Sequence, residues 1–337
     1  MDATLLIVTG RWDYSAHVAG QALRKLGHDP VFLYPEDIPD RTRLTARFHN
    51  ASWSAELRTP EHVIDLDTVR SIWWRKPVPA KTNPDLPEYF RDYVTRETQY
   101  ALTGIWRLLH ERADVYWMSD PACIKAADNK MLQRYRAAEF GFASPKTLLT
   151  NDPDEVRRFY DECDGKVVFK SMSGPVMLNG EAADLDKLPK GVPLVRPLTR
   201  TDLSYVDDVR HNPCEFQELV PKARELRVTV FDDKVFTCAI DSQANPLTRF
   251  DWRNFSETEG ATMSAAQVDP RFEKACVEYM RGFGLNFAAF DFIETPDGET
   301  VFLEMNPNGQ WLFVQMFAPE LRLMPAFVDS ITRNLAA

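Results

Sequence analysis

The sequence is short of the features that mark several large functional classes. Its five cysteines, Cys123, Cys163, Cys214, Cys238 and Cys276, are odd in number and scattered. They form no CxxC pair and have no histidine at zinc-ligand spacing, which argues against a disulfide-stapled scaffold and a structural zinc site. No apolar run approaches the length needed to cross a bilayer, and the opening residues lack the basic start and long apolar stretch of a secretory signal. A cytoplasmic protein with no membrane partner is therefore expected. Basic residues are outnumbered 40 to 50, for a formal charge of −10. Nucleic acid is accordingly not an expected partner, and an acidic substrate would need a local cationic cluster. The six histidines form no Ser-His-Asp or Cys-His arrangement, so no protein nucleophile is expected. There is no internal repeat, no low-complexity tract and no GxxxxGK[ST] phosphate loop.

What is present is globular composition, 44% hydrophobic and 27% charged over 337 residues, enough for two or three structural units. Residues 4 to 9, 15 to 26 and 30 to 34 read as a β-α-β opening. Residues 69 to 74 read as a further strand and 87 to 112 as a helix. A new unit is expected near Ser119-Asp120-Pro121, followed by the helical stretch from Asp128. Asp152-Pro153-Asp154-Glu155 is a helix start with its own cap, and Val167 to Lys170 is a strand leading into a small loop, 171 to 180. Short strands and turns are expected over 181 to 212. Strands follow at 226 to 231 and 234 to 241, then a helix opened by Asp269-Pro270.

The most informative stretch runs from Asn286 to Trp311. Two apolar runs flank Thr295-Pro296-Asp297-Gly298, which predicts a hairpin. Asp291 interrupts one run and Glu304 the other, and an acid in an apolar strand is costly unless a cation or hydrogen bonds compensate it. With Asn306 they supply the hard oxygens that magnesium prefers beside nucleotide phosphates. Two carboxylates at a solvated sheet end would read the same way.

Lys170 ends the strand VVFK, where it can reach a phosphate or simply snorkel. Lys130 stands at a helix start, a position unfavourable to a cation unless an anion is bound there. The stretch CEFQELVPKARELRVTV reads as an edge strand whose backbone can serve as an adenine platform, with Glu225 placed to accept from ribose hydroxyls. A charge-rich strand and turn is the plainer alternative.

In order and spacing, Lys130, Lys170, the QELVPKARELR segment and the Asp291, Glu304, Asn306 hairpin resemble the ATP-grasp superfamily. WWRKP at 73 to 77, IDSQ followed by RFDWR, and FLEMNPNGQW narrow the resemblance to the ATP-grasp ribosomal peptide maturases, the graspetide or microviridin-type macrocyclases. The resemblance implies an α/β (α+β) ATP-grasp fold with a pre-ATP-grasp domain at 1–118, a central subdomain at 119–214 and a C-terminal subdomain at 215–337. It implies ATP held by Lys130, Lys170, Gln217, Glu218, Leu219 and Glu225, and Mg2+ held by Asp291, Glu304 and Asn306. Arg227, Lys170 and Arg253 are the expected catalytic residues. Asp251, Trp252 and Arg253 match a motif that binds a core acidic residue, and Arg75 is a further cationic guide. The partner implied is a ribosomal precursor peptide with a leader and an acidic core, and a homodimer is left open. The alternatives are an ATP-grasp ligase for free amino acids or a protein tail, and a nucleotide-binding peptide scaffold without chemistry.

Overall fold

A computed structural model of the chain describes residues 3–172, 177–178, 181–182, 195–253 and 261–335. Much of the loop after Lys170, and 183–194 of the stretch read as strands and turns, lies outside those residues. Within the described part of that stretch only Val195–Pro197 is a longer strand, and Asp202–His211 is a 3-10 helix rather than strands and turns.

The opening β-α-β unit is Thr4–Val8, Tyr14–Lys25 and Val31–Leu33. Its strands join Val69–Trp74 and Tyr116–Trp117 in a four-stranded parallel sheet. Asp13 caps the helix by accepting from the Ala16 N–H. A three-stranded antiparallel sheet, Arg43–His49, Ser52–Arg58 and Val63–Asp65, has no counterpart among the sequence expectations.

The second unit is a four-stranded sheet in the order Val195–Pro197, Val167–Lys170, Cys214–Glu218, Thr147–Thr150. This corrects one expectation. Cys214–Glu218 is an interior strand with a partner on each side, not an edge, because the flanking strands are drawn in from distant sequence. A division at residue 214 would also cut the first residue from this strand.

The third unit is a five-stranded antiparallel sheet in the order Thr262–Ala265, Lys234–Asp241, Arg224–Phe231, Phe287–Glu294, Thr300–Asn306. Alternation gives its central strands two unlike faces. Leu226, Val228, Val230, Ala288, Phe290 and Phe292 pack with Tyr279 and Met280 of the helix Pro270–Arg281. On the other face, Phe231, Phe287 and Ala289 lie under Trp311 and Phe327. Beyond that cover, Arg227, Asp291, Glu304 and Asn306 open into a cleft. Among the described residues, no helix is long and apolar enough to cross a membrane.

Candidate active site

The hairpin brings its acids together by register. Asp291 pairs directly with Glu304, and a shift just after Asp291 leaves Leu303 as an extra residue on the second strand. The bulge lets Phe302 and Met305 both enter the core while Glu304 and Asn306 still face the cleft. Asn306 Nδ2 donates to Asp291 Oδ2 at 2.8 Å and to Glu304 Oε1 at 3.4 Å. The three side chains thus form one cluster. To offer its oxygen to a cation, the Asn306 amide would have to turn over.

Each acid has a cationic partner. Arg227, on the neighbouring strand and in register with Asp291, donates through Nη1 to both Asp291 oxygens at 2.8 Å. Its Nη2 donates to the Gln310 carbonyl at 2.8 Å. Gly309 permits that approach, since a Cβ there would lie 2.9 Å from Arg227 Nη2 and 2.7 Å from Ala289 Cβ. Lys130 Nζ lies 3.0 Å from Glu304 Oε2. Burial raises the Asp291 carboxyl above its ordinary range, with Arg227 opposing and the charge of Glu304 adding to the rise. For Glu304, burial is outweighed by Lys130, Lys170 and Asn306, which hold its carboxyl below the ordinary value.

Lys130 does start a helix, Lys130–Ala137, capped by the Asn129 side chain on the Leu132 N–H. Gln133, which the sequence reading missed, sets where that helix sits. Its amide donates to the Met305 carbonyl at 2.7 Å and accepts from the Met305 N–H at 2.8 Å. Lys130, one turn earlier, is thereby held over Glu304. The helix and Ala127 before it share the C-terminal core, although they precede the second sheet in the chain. A bidentate pair, Arg134 to Glu215 at 2.9 and 2.7 Å, ties the same helix to the second sheet, where Glu215 is in register with Lys170.

Lys170 lines the cleft with no ion pair among the described residues. Burial pushes its amine down to about 8, with Glu304 and Glu215 opposing. Gln217, Glu218, Leu219 and Glu225 line the same cleft. The Gln217 side chain is spent on Thr147 Oγ1 at 3.1 Å, and the Glu218 and Leu219 N–H groups donate to the Lys146 and Lys166 carbonyls at 2.9 Å. An adenine platform there is therefore restricted to what these bonds leave open after the strand ends. Glu225 is buried, which raises its carboxyl, while Lys222, at 3.0 Å, opposes the rise. Lys222 also donates to the Phe250 carbonyl at 3.0 Å.

The next residues, Asp251, Trp252 and Arg253, face the cleft. Arg253 donates through Nε and Nη2 to the two Asp251 oxygens at 2.8 and 2.7 Å. That pair raises the guanidinium pKa further. Trp252 stacks on Phe313 with centroids 5.1 Å apart.

One expectation fails. Arg75 is 1% exposed and cannot be a guide at the cleft surface. Its Nη1 donates to the Asn308 carbonyl at 3.0 Å, its Nε lies 3.3 Å from Asp13 Oδ2, and its carbonyl accepts from Asn308 Nδ2. Arg75 fastens the first sheet to the loop after Asn306, because the strand Val69–Trp74 alternates and position 75 turns inward. Its neighbour Lys76 lines the cleft instead.

The cleft has a volume of about 1040 Å³, at the upper limit for one small ligand, about 1,000 Å³. Among the described residues no three His, Cys, Asp or Glu side chains form a metal-binding group, so any cation here would depend on Asn306 and on oxygens from a bound ligand.

A family profile described as the MvdD pre-ATP grasp domain matches residues 4–123. The chain is similar over nearly its whole length to solved macrocyclases from Microcystis aeruginosa MRC. With MdnC, solved bound with its precursor peptide MdnA, it shares 25% identity over 98% of this chain and 99% of that one, at a TM-score of 0.81. With MdnB it shares 29% over 97% and 98%, at 0.76. A Chryseobacterium gregarium RiPP-associated ATP-grasp ligase, in complex with ADP and a leader and core peptide, is 23% identical over 98% and 97%, at 0.84, and speaks to the fold. Among curated proteins, the tetrahydromethanopterin:alpha-L-glutamate ligase of Methanocaldococcus jannaschii is 24% identical over 201 residues, 58% of this chain. The chain spans 63% of that relative's length. A pre-ATP-grasp profile at the N-terminus and end-to-end similarity to solved macrocyclases thus give this chain an ATP-grasp fold of the kind seen in ribosomal peptide macrocyclases.

Proposed function

We propose that this protein is an ATP-dependent ligase that activates Asp or Glu side chains of a ribosomal precursor peptide and closes them onto Ser, Thr or Lys side chains as ω-ester or ω-amide rings. The observation that carries the proposal is the convergence, in one cleft, of Lys130, Lys170, Asp291, Glu304 and Asn306 with the Asp251, Trp252, Arg253 loop. Two similar structures, MdnC and the Chryseobacterium ligase, hold precursor or leader and core peptides, and a further ATP-grasp ligase of similar fold, PsnB, 20% identical at a TM-score of 0.75, was solved with Mg and ADP. The domain limits 1–118, 119–214 and 215–337 belong to the same proposal.

The residues present fit a magnesium nucleotide. Asp291 and Glu304 are hard donors paired in register, and the Asp291 carboxyl is raised chiefly by burial and further by the charge of Glu304, both of which a bound cation offsets. Arg227 and Lys130 already offset both acids, so the cation is expected with the polyphosphate rather than alone. In that state Asp291, Glu304 and Asn306 would hold magnesium, and Lys130 and Lys170 the phosphates. Glu225 would face the ribose, and the end of the Gln217, Glu218, Leu219 linker the adenine. ATP supplies the phosphoryl group that makes a side-chain carboxylate a competent acyl donor. Arg227, held between Asp291 and Gln310, presents positive charge where the reacting carboxyl develops negative charge. Holding acid and nucleophile side by side removes the entropy cost of a bimolecular step.

The match to a glutamate ligase supports a second reading, ligation of free amino acids. ADP release by the purified enzyme separates the two. Release with a leader-bearing acidic peptide and none with free glutamate supports ring closure, and the reverse supports the second reading.

A further inference from the structure

Lys76, Lys130, Lys170, Lys222, Arg227 and Arg253 line the cleft, and their pairing is uneven. Lys130 sits on Glu304, Lys222 on Glu225, Arg227 on Asp291 and Arg253 on Asp251. Among the described residues this leaves Lys170 and Lys76 without an ion pair. Lys170 belongs to the end of the cleft where Lys130, Glu304 and Glu215 act on it. Lys76 is acted on by a different set. The residue is exposed overall; partial burial of its amine and the charge of Arg75 lower its pKa, Asp13 opposes them, and Arg227 adds to the lowering. A cleft cation with no ion pair of its own, in a chain of net charge −10, is matched to an incoming anion.

The backbone at this point is fixed in advance. The Arg75 N–H donates to the Val8 carbonyl at 2.8 Å, and the Lys76 carbonyl accepts from the Gly10 N–H at 3.0 Å. Arg75 itself is clamped on Asn308, and Pro77 restricts the residue before it to extended backbone. A Cβ at Gly10 would meet Val78 Cγ2 at 2.9 Å and the Lys76 carbonyl at 3.3 Å, so the close seating depends on glycine. Lys76 thus joins the cleft wall from a rigid strand end, with Arg227 as the other cleft cation that acts on it.

We infer that Lys76 is a substrate-binding residue that receives a side-chain carboxylate of the peptide, so that the pre-ATP-grasp unit contributes directly to acid recognition. The inference rests on the peptide-ligase reading and names the residue that reads the acid. The test measures binding of tetraglutamate and tetraglutamine to the full chain loaded with ADP and Mg2+. Wild type is expected to bind tetraglutamate more tightly than tetraglutamine. Lys76→Met should lose about tenfold in tetraglutamate affinity, the scale of one charge-assisted hydrogen bond. Lys76→Arg should retain the preference, and ADP affinity should be the same in all three proteins. A glutamate preference that survives intact in Lys76→Met overturns the assignment to Lys76 while leaving the acidic-peptide reading in place. No preference in wild type overturns both.

Discussion

The two faces of the C-terminal sheet are buried in different ways. On one, Phe290, Phe292 and Phe302 meet Tyr279 and Phe142, with Phe292 and Phe142 centroids 5.3 Å apart. On the other, a few ångströms through the same strands, Arg227 and Asp291 are paired while only 6% and 19% exposed. Apolar packing returns free energy for every contact made, whereas a buried ion pair gains little over a hydrophobic pair of similar volume. The aromatic face is explained by stability alone. The charged face is not, and its retention points to chemistry.

That contrast can be broken in four ways. The largest effect is expected from Glu304→Ala. Loss of one transition-state-stabilising group typically costs about 10²–10³-fold or more in turnover, while the fold and peptide binding should persist. Modification at near wild-type rate by that variant would remove the metal assignment. On the aromatic face, Phe292→Ala should cost about 3–5 kcal/mol of stability in a denaturant titration, with the protein that remains folded still active. A cost under about 1 kcal/mol would mean the packing is looser than the ring contacts imply.

The third way exchanges one face for the other. Arg227→Met alone strands Asp291 and should destabilise by up to about 3–5 kcal/mol, less where the cleft admits water. Arg227→Met with Asp291→Leu should restore wild-type stability or exceed it, by up to about 4 kcal/mol, and be inactive. A double variant as unstable as the single one would show that the pair is structural.

The smallest effect is in pH. Lys170 releases its proton near 8 because burial disfavours its charge. Below that pH the folded and unfolded states are both protonated and the burial penalty is fully felt. Between about 8 and the ordinary lysine value the folded state gives up the proton first, so stability rises with pH there. In the proposed role of Lys170 at the phosphates, ADP with Mg2+ binds through the charged amine, so calorimetry should show affinity falling about tenfold from pH 7 to 9. Lys170→Arg, which stays charged, should flatten that profile. A wild-type affinity independent of pH would separate Lys170 from the phosphates.

Local chemistry made much of this legible. The Asp152 and Asp269 helix starts, the β-α-β opening and the Thr295-Pro296-Asp297-Gly298 turn all follow from short-range rules, and the acids could be found because they interrupt apolar runs. What stayed hidden depends on pairing across the chain. That Cys214–Glu218 is interior follows from strands some 45 and 65 residues earlier. The sequence marked Arg75 as a cation after two tryptophans; strand alternation turns it inward, but the Asn308 loop that receives it there lies 233 residues away, and the cleft is left to Lys76. Gln133 carried no signal at all, since a glutamine in a helix is ordinary until its amide meets the Met305 backbone.

The central claim is that this cleft closes rings in a peptide. Its most direct test is the intact mass of a short leader-bearing peptide rich in Thr, Asp and Glu, co-expressed with wild type. The account predicts a loss of one water for each ring, with none lost alongside Glu304→Ala. An unchanged mass in the presence of wild-type enzyme that binds both peptide and ATP would contradict it and leave a nucleotide-dependent peptide-binding scaffold.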